Sequence, residues 1–304
     1  MRWTQESADL AETPLSLLTT LTPSTGPGND RLTLDASNGP IPPARVLFNG
    51  GGGSDTLNIR GGVFVLNSDA MLSSDALTTN LNNAATLSVN STQHLAALNI
   101  TGSSRVELSA GGTRFLRTGS LSLSPDATLD LADNDLIIDN GDIADIVTGI
   151  KFRRIIGKPG KCTALAAILN DKDDKAHTPV TNSFAGETVL ATDVLVKYTW
   201  AGDANLDGMV NADDYGLIDR GFISQKRGWY NGDFNYDTFV NADDYGMIDR
   251  AFVEQTGTLA VGAAESSPQP AQVPAAPAAL NTVTPKRDLD SLLSQLFSTA
   301  PVLG

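Results

Sequence analysis

A chain of 304 residues is long enough for two domains of ordinary size. Its net charge of −14 and pI near 4.4 leave no basic footprint for nucleic acid and suit cations instead. One cysteine, Cys162, rules out an intrachain disulfide, and two histidines, His94 and His177, make a histidine-built metal site a poor expectation. Aromatic residues are scarce at 6% while glycine is plentiful at 28 residues, a mix that favours turn-rich β architecture over a helical bundle. No apolar run approaches the ~18 residues of a membrane span. Met1–Glu6 lacks the apolar core of a secretory signal. An upstream start, a fragment and another export route all fit that.

Residues 1–28 are polar and end in Pro23, Pro27 and Gly28, so a flexible lead-in segment is expected. Residues 29–140 are short apolar alternations between Gly, Asn, Ser and Asp turns, such as Leu57-Asn58-Ile59, Leu87-Ser88-Val89, Leu98-Asn99-Ile100, Val106-Glu107-Leu108 and Leu129-Asp130-Leu131. Period-two alternation marks strands with one buried face. Leu87, Val106 and Leu129 stand 19 and then 23 residues apart, and Leu98 and Leu121 stand 23 apart. A recurrence of that length, inward aliphatics and outward polar residues fit the coils of a right-handed β-solenoid. A β-sandwich, with strands every 8–12 residues or so, is the alternative.

Residues 141–200 read as a connecting region. Ile143, Ile146, Val147 and Ile150 share one helical face, Thr163–Leu169 fits helix or strand, and 193–200 alternates as a strand. Residues 201–256 carry the motifs described next. Residues 257–304 form an Ala/Pro-rich linker and tail, read as extended and disordered, with a short helical spacing at Asp288–Phe297. The fold expectation is therefore mixed and multi-domain: mainly β, then a small α domain, then the tail.

The segment GDANLDGMVNADDYGLIDRGF is followed by NGDFNYDTFVNADDYGMIDRAF, with Asp203 and Asp233 standing 30 residues apart. Calcium takes six to eight oxygens, and a twelve-residue loop offers them from positions 1, 3, 5, 7, 9 and 12. The first loop supplies Asp203, Asn205, Asp207, the Met209 carbonyl, Asn211 and Asp214; the second supplies Asp233, Asn235, Asp237, the Phe239 carbonyl, Asn241 and Asp244. All are hard oxygen donors, which disfavours zinc and copper. Two Ca2+ sites are expected. Gly208 sits at the sharp sixth position, where the second loop has Thr238, so the second site is expected to be weaker. Val210 and Val240 sit at position 8, where a β-branched residue can pair across two adjacent loops. Tyr215, Ile218 and Phe222, and likewise Tyr245, Ile248 and Phe252, form an apolar face on the helix after each loop. Four Asp residues in each loop repel without metal, so chelation is expected to unfold 201–256 and spare the β region.

A loop followed by one helix, twice, resembles the type I dockerin module. The strings AGDANLDG and W-x-x-GDFNYD are similar to the dockerin-like modules of planctomycete secreted and surface proteins, and the strand repeats upstream resemble an autotransporter-like β-solenoid region. The resemblance implies an EF-hand-like calcium fold and protein–protein attachment to a cohesin-like partner. This chain departs from cohesin-binding dockerins: the expected Ser-Thr pair is Ala212-Asp213 and Ala242-Asp243, and the later positions are Asp219-Arg220 and Asp249-Arg250. Those eight residues are the candidate partner face, matched between repeats, and another envelope protein can stand in the cohesin's place.

Gly50–Leu57 fits one unit of the calcium β-roll nonapeptide and Gly26–Leu32 most of another, but a tight solenoid turn is the preferred reading. No G-x-S-x-G elbow occurs, and one Cys beside one His makes no nucleophile argument. Asp126, Asp130, Asp133 and Asp135 fit turn positions better than the acidic face of a carbohydrate-cleaving β-helix. The leading expectation is thus a non-catalytic extracellular or cell-surface solenoid carrying a calcium-dependent attachment module. The alternative is the C-terminal dockerin-bearing part of a polysaccharide-degrading hydrolase or lyase, with polysaccharide as a second partner.

Overall fold

A computed structural model describes residues 27–36, 48, 51–70, 76–172 and 176–259, together with the backbone of the short strands Trp3–Gln5, Ala8–Leu10, Thr20–Leu21 and Ala44–Val46. The chain divides into two units, Met1–Glu265 and Ser266–Gly304. The second lies outside the described residues, as do most of the expected lead-in segment and nearly all of the Ala/Pro tail.

Three sheets, two parallel and the third mixed, wind through the first unit. The first sheet stacks Arg31–Asp35, Ser54–Arg60, Ala76–Asn82, Ala97–Ile100 and Leu121–Leu123. The second runs from Thr20–Leu21 through Ala44–Val46, Val63–Leu66, Thr86–Val89, Arg105–Leu108 and Thr128–Ala132 to Ile155–Gly157. The third contains Gln93–Leu95, Phe115–Thr118 and Asp135–Ile138. This is a β-solenoid, and the parallel pairing excludes the sandwich. The spacings seen in the sequence are its register: Val106 pairs with Leu87 on one side and Leu129 on the other, and Leu98 pairs with Leu121.

Alternation explains the core. Leu34, Ile59, Leu81 and Ile100 stack inward on the first sheet, and Phe64, Leu87, Val106, Leu129 and Ile155 on the second, all buried. On the outward side, an amide ladder links neighbouring coils. Asn80 Nδ2 donates to Asn58 Oδ1 at 3.0 Å, and Asn99 Nδ2 donates to Asn80 Oδ1 at 2.8 Å. The two glycine-rich strings stand on successive coils. Gly28 N donates to the Gly52 carbonyl at 2.6 Å, Ser54 N to Asn29 Oδ1 at 2.9 Å and Asp30 N to Asp55 Oδ1 at 2.9 Å. They are turns tied to each other.

The stack is capped at the far end. Helix α1 (Ile143–Lys151) forms where the isoleucine spacing predicts, with Asp142 as its N-cap accepting from Ala144 N. Val194–Trp200 pairs antiparallel with Asp135–Ile138, and Thr163–Leu169 pairs antiparallel with Val194–Trp200, so the apolar run at 163–169 is a strand. Neighbours on both faces bury nearly all of Val194–Trp200, including Lys197, whose ammonium lies 3.9 Å from the carboxylate of buried Asp135. A short hairpin, Ser183–Phe184 with Glu187–Thr188, is pinned to the third sheet by charge. Glu187 faces both His94 at 3.5 Å and Arg117 at 3.2 Å; His94 also faces Asp69 at 2.5 Å, and Arg117 faces Asp139 at 2.9 Å. Two further helices, α2 (Ala212–Ser224) and α3 (Ala242–Glu254), close the described chain.

Candidate metal centre: two matched acidic loops

Each acidic loop leads into a helix whose start its own residues build. Asn211 and Asn241 are the N-caps of α2 and α3, and both have φ −147° and ψ −169°. Each side chain accepts the N–H two residues on, at 2.8 Å, while Asp214 and Asp244 return a carboxylate to the cap N–H at 2.9 and 3.0 Å. The sequence spacing that defines loop positions 9 and 12 therefore also defines a capping box. Asp214 Oδ1 further accepts from Ala204 N at 2.8 Å and Asn205 N at 3.3 Å. Asp244 Oδ1 does the same with Phe234 N at 2.8 Å and Asn235 N at 3.4 Å. The loop is thus folded onto its own last carboxylate.

The first position is buried in both loops. Asp203 accepts from Asp207 N at 3.0 Å, from Gly208 N at 2.8 Å and from the Thr199 hydroxyl. Asp233 accepts at Oδ2 from Gly228 N and Thr238 N at 3.3 and 3.2 Å, and its buried Oδ1 has no hydrogen-bond partner. Asn205 and Asn235 each donate to the carboxylate two residues on, Asp207 or Asp237, at 3.1 Å. Asp207, Asp237, Met209 and Phe239 lie on the exposed rim. Burial, reinforced by Asp214 and Asp207, pushes Asp203 up to about 7; burial first, then Asp207, pushes Asp214 up to about 6. Asp233 and Asp244 are raised for the same reason, burial first and neighbouring carboxylates second.

These donor sets fit a hard cation: each loop carries carboxylate, amide and carbonyl oxygens, and an orphaned carboxylate oxygen is buried in the second. Among the described residues, no group of three or more His, Cys, Asp or Glu side chains is already gathered as a metal site. The loop donors that would complete the set are Asn amides and backbone carbonyls, and the Asp oxygens are turned to loop N–H groups.

The two loop–helix units face each other as near-equals. Ile218 and Ile248 are fully buried, Tyr215 meets Phe252 edge-on at 6.1 Å, and Phe222 meets Tyr245 at 6.3 Å. Tyr215 donates its hydroxyl to Asp249 and Tyr245 to Asp219, both at 2.6 Å. Of the candidate partner residues, all eight are exposed, and Asp219 and Asp249 already serve this seam.

Val210 does not pair with Val240. Its N–H donates to Gln255 Oε1 at 2.9 Å, and its carbonyl accepts from Gln255 Nε2 at 2.7 Å. The carboxamide at the end of α3 satisfies both backbone groups of Val210 as a strand would.

Several residues that matter here were silent in the sequence. Trp229, fully buried between the loops, donates its indole N–H to the Asp203 carbonyl at 2.7 Å. Trp200 donates to the Gly257 carbonyl at 3.0 Å, and Leu259 N donates to the Gly208 carbonyl at 2.9 Å, so the end of the described chain straps the first loop. Tyr236 reaches into the solenoid cap. The acids considered for a carbohydrate-cleaving face are engaged or isolated: Asp130 binds Arg105, Asp133 accepts from Gly111 and Gly112, Asp135 lies beside Lys197, and Asp126 is an exposed turn residue. His177 bonds Asp171 at 2.7 Å and Cys162 is half-buried.

No family model, no curated protein and no solved structure matches the chain. Fold and site together define a β-solenoid protein with paired acidic loop–helix units.

Proposed function

We propose that residues 201–256 are a dockerin-like, calcium-dependent attachment module at the end of a β-solenoid spacer, on a secreted or cell-surface protein. The observation that carries the reading is the duplicated loop: the same six-position oxygen set, the same cap backbone and the same buried carboxylates occur twice, with Asp233 Oδ1 left unpartnered. Keeping acids of raised pKa inside a fold is costly unless a cation arrives to balance them. Asp203, Asn205, Asp207, the Met209 carbonyl, Asn211 and Asp214 would hold one Ca2+. Asp233, Asn235, Asp237, the Phe239 carbonyl, Asn241 and Asp244 would hold the other.

The partner is an envelope protein, cohesin-like or of another fold, engaged through Ala212, Asp213, Asp219, Arg220 and their counterparts Ala242, Asp243, Asp249 and Arg250. Two equivalent faces give such a partner two equivalent ways to bind. Calorimetric titration of the full chain with calcium is expected to resolve two sites, the second weaker. Retention of envelope proteins by immobilised chain is expected in calcium, to be lost in chelator and to weaken when Asp213 and Asp243 are replaced by Lys. A titration with no binding heat and no calcium-dependent change in helical circular dichroism would falsify the reading. No described helix is long and apolar enough to cross a membrane.

A further inference from the structure

The two loops differ at their fourth position in a way that reaches beyond the loop. Leu206 in the first loop is a buried aliphatic residue; Tyr236 in the second is a buried phenol. Both have left-handed backbones, φ 64° and 58°. The Tyr236 ring stacks at a tilt on Trp229 with centroids 5.5 Å apart, and its hydroxyl points out of the loop into the solenoid cap. There it accepts the N–H of Ala167 at 2.7 Å and donates to the carbonyl of Leu165 at 2.9 Å.

Those two groups belong to Thr163–Leu169, the outermost strand of the third sheet, whose other side is taken by Val194–Trp200. Left uncovered, an outer strand of sequence TALAAIL would be an apolar template for further pairing; here Leu165–Ile168 are buried. One phenol hydroxyl satisfies a donor and an acceptor that a neighbouring strand would otherwise take. The same residue is held from a second direction: Lys151 Nζ, at the end of α1, donates to the Tyr236 carbonyl at 2.7 Å. One loop position therefore grips two elements of the solenoid cap through its side chain and its main chain.

We propose that the second acidic loop couples calcium to the solenoid: with calcium bound, its backbone is fixed so that Tyr236 seals the edge of Thr163–Leu169, and with calcium removed that edge opens. The proposal rests on the calcium reading above. It adds a task that the first loop, held by the Gly257–Leu259 strap, does not share. Linkage makes the coupling reciprocal, so gripping the cap must also strengthen calcium binding at the second loop. The loop with the less favourable residue at its sharp turn, Thr238, is the one gripped by α1 and Thr163–Leu169.

Hydrogen exchange on the full chain, with and without calcium, tests this. In wild type, replacing calcium by chelator is expected to speed exchange of the Ala167 amide by about tenfold or more. Tyr236→Phe keeps the ring and removes the hydroxyl. In calcium it is expected to speed the same amide and to weaken the second calcium site at least about fivefold, with the first site unchanged. Lys151→Met, which cuts the other grip, is expected to weaken the second site alone. Equal weakening of both sites in the two variants would indicate a general folding defect and overturn the coupling. If calcium binds both loops and Ala167 exchanges alike with and without it, the coupling fails and the calcium reading stands. If neither loop takes calcium, both fail.

Discussion

Gly208 and Thr238 fill the same loop position with similar left-handed backbones, φ 89° and 79°. What differs is the space beside them. A Cβ on Gly208 would lie 2.2 Å from the Leu259 carbonyl oxygen and 3.0 Å from a Thr258 methyl, whereas Thr238 stands exposed. The strap over the first loop demands glycine; the second loop has room for a side chain and bears only the backbone strain. Thr238→Gly is expected to stabilise the module by about 0.5–1 kcal/mol, the relief of strain less the extra freedom of glycine in the unfolded chain, and to tighten the second site. Gly208→Thr is expected to cost about 2–4 kcal/mol, combining strain and overpacking. Denaturant unfolding at one fixed calcium concentration compares each variant with wild type. The buried acids set a pH dependence at the same scale. Asp203, raised to about 7, and Asp214, raised to about 6, are harder to ionise folded than unfolded, so their ionisation works against the calcium-free fold. That penalty is complete above about pH 7 and is released as pH falls toward the unfolded Asp value near 4. In chelator the helical circular dichroism of residues 201–256 should therefore rise as pH falls from 8 to 5, and melting temperature in calcium is the companion measurement. That temperature should fall over the same range, because protons compete with the metal for the same oxygens. The paired loops and their capping boxes were legible in the sequence because a twelve-residue spacing fixes them locally. The Trp229 and Tyr236 contacts were not, since nothing local tells a loop aromatic what it will reach.

At the scale of elements, the solenoid was readable because its rule is local and repeats. Inward Leu, Ile or Val must recur once per coil, and the 19- and 23-residue intervals are the coil lengths themselves. Thr163–Leu169 was ambiguous for the opposite reason: an apolar run has no period, and only antiparallel pairing with Val194–Trp200 makes it a strand. The pairing open to Val210 was lost on the same ground, since a glutamine 45 residues away took the hydrogen bonds. Several buried inward positions break the aliphatic rule, Asp55, Thr79, Gln93 and Thr118 among them. Thr79 sits between Leu57 and Leu98 on the first sheet, fully buried, with its hydroxyl lacking any partner. Thr79→Val keeps the shape and removes the unsatisfied group, so it is expected to stabilise the solenoid by about 1 kcal/mol or more. A matched pair of denaturation curves checks this; a loss of stability would mean the hydroxyl is satisfied in solution.

At the scale of the molecule, the sequence divides more sharply than the structure does. Composition separates a β region, a connecting region and an acidic module. Yet all three fall in one unit, Met1–Glu265, and buried residues from each belong to one continuous core. Residues 141–200 are the cap on which coil and module meet. The antiparallel entry of Val194–Trp200 beside Asp135–Ile138 has a consequence for length. Parallel coils can no longer be added at that sheet edge, because the next strand runs the wrong way. Upstream, among the described residues, the strands from Arg31 to Leu123 on the first sheet pair only with parallel strands of neighbouring coils. The solenoid is therefore a ruler with one fixed end: duplicating the 23-residue coil 98–120 should insert one more rung of about 4.8 Å and carry everything before it outward by that step, while the acidic loops keep their seat.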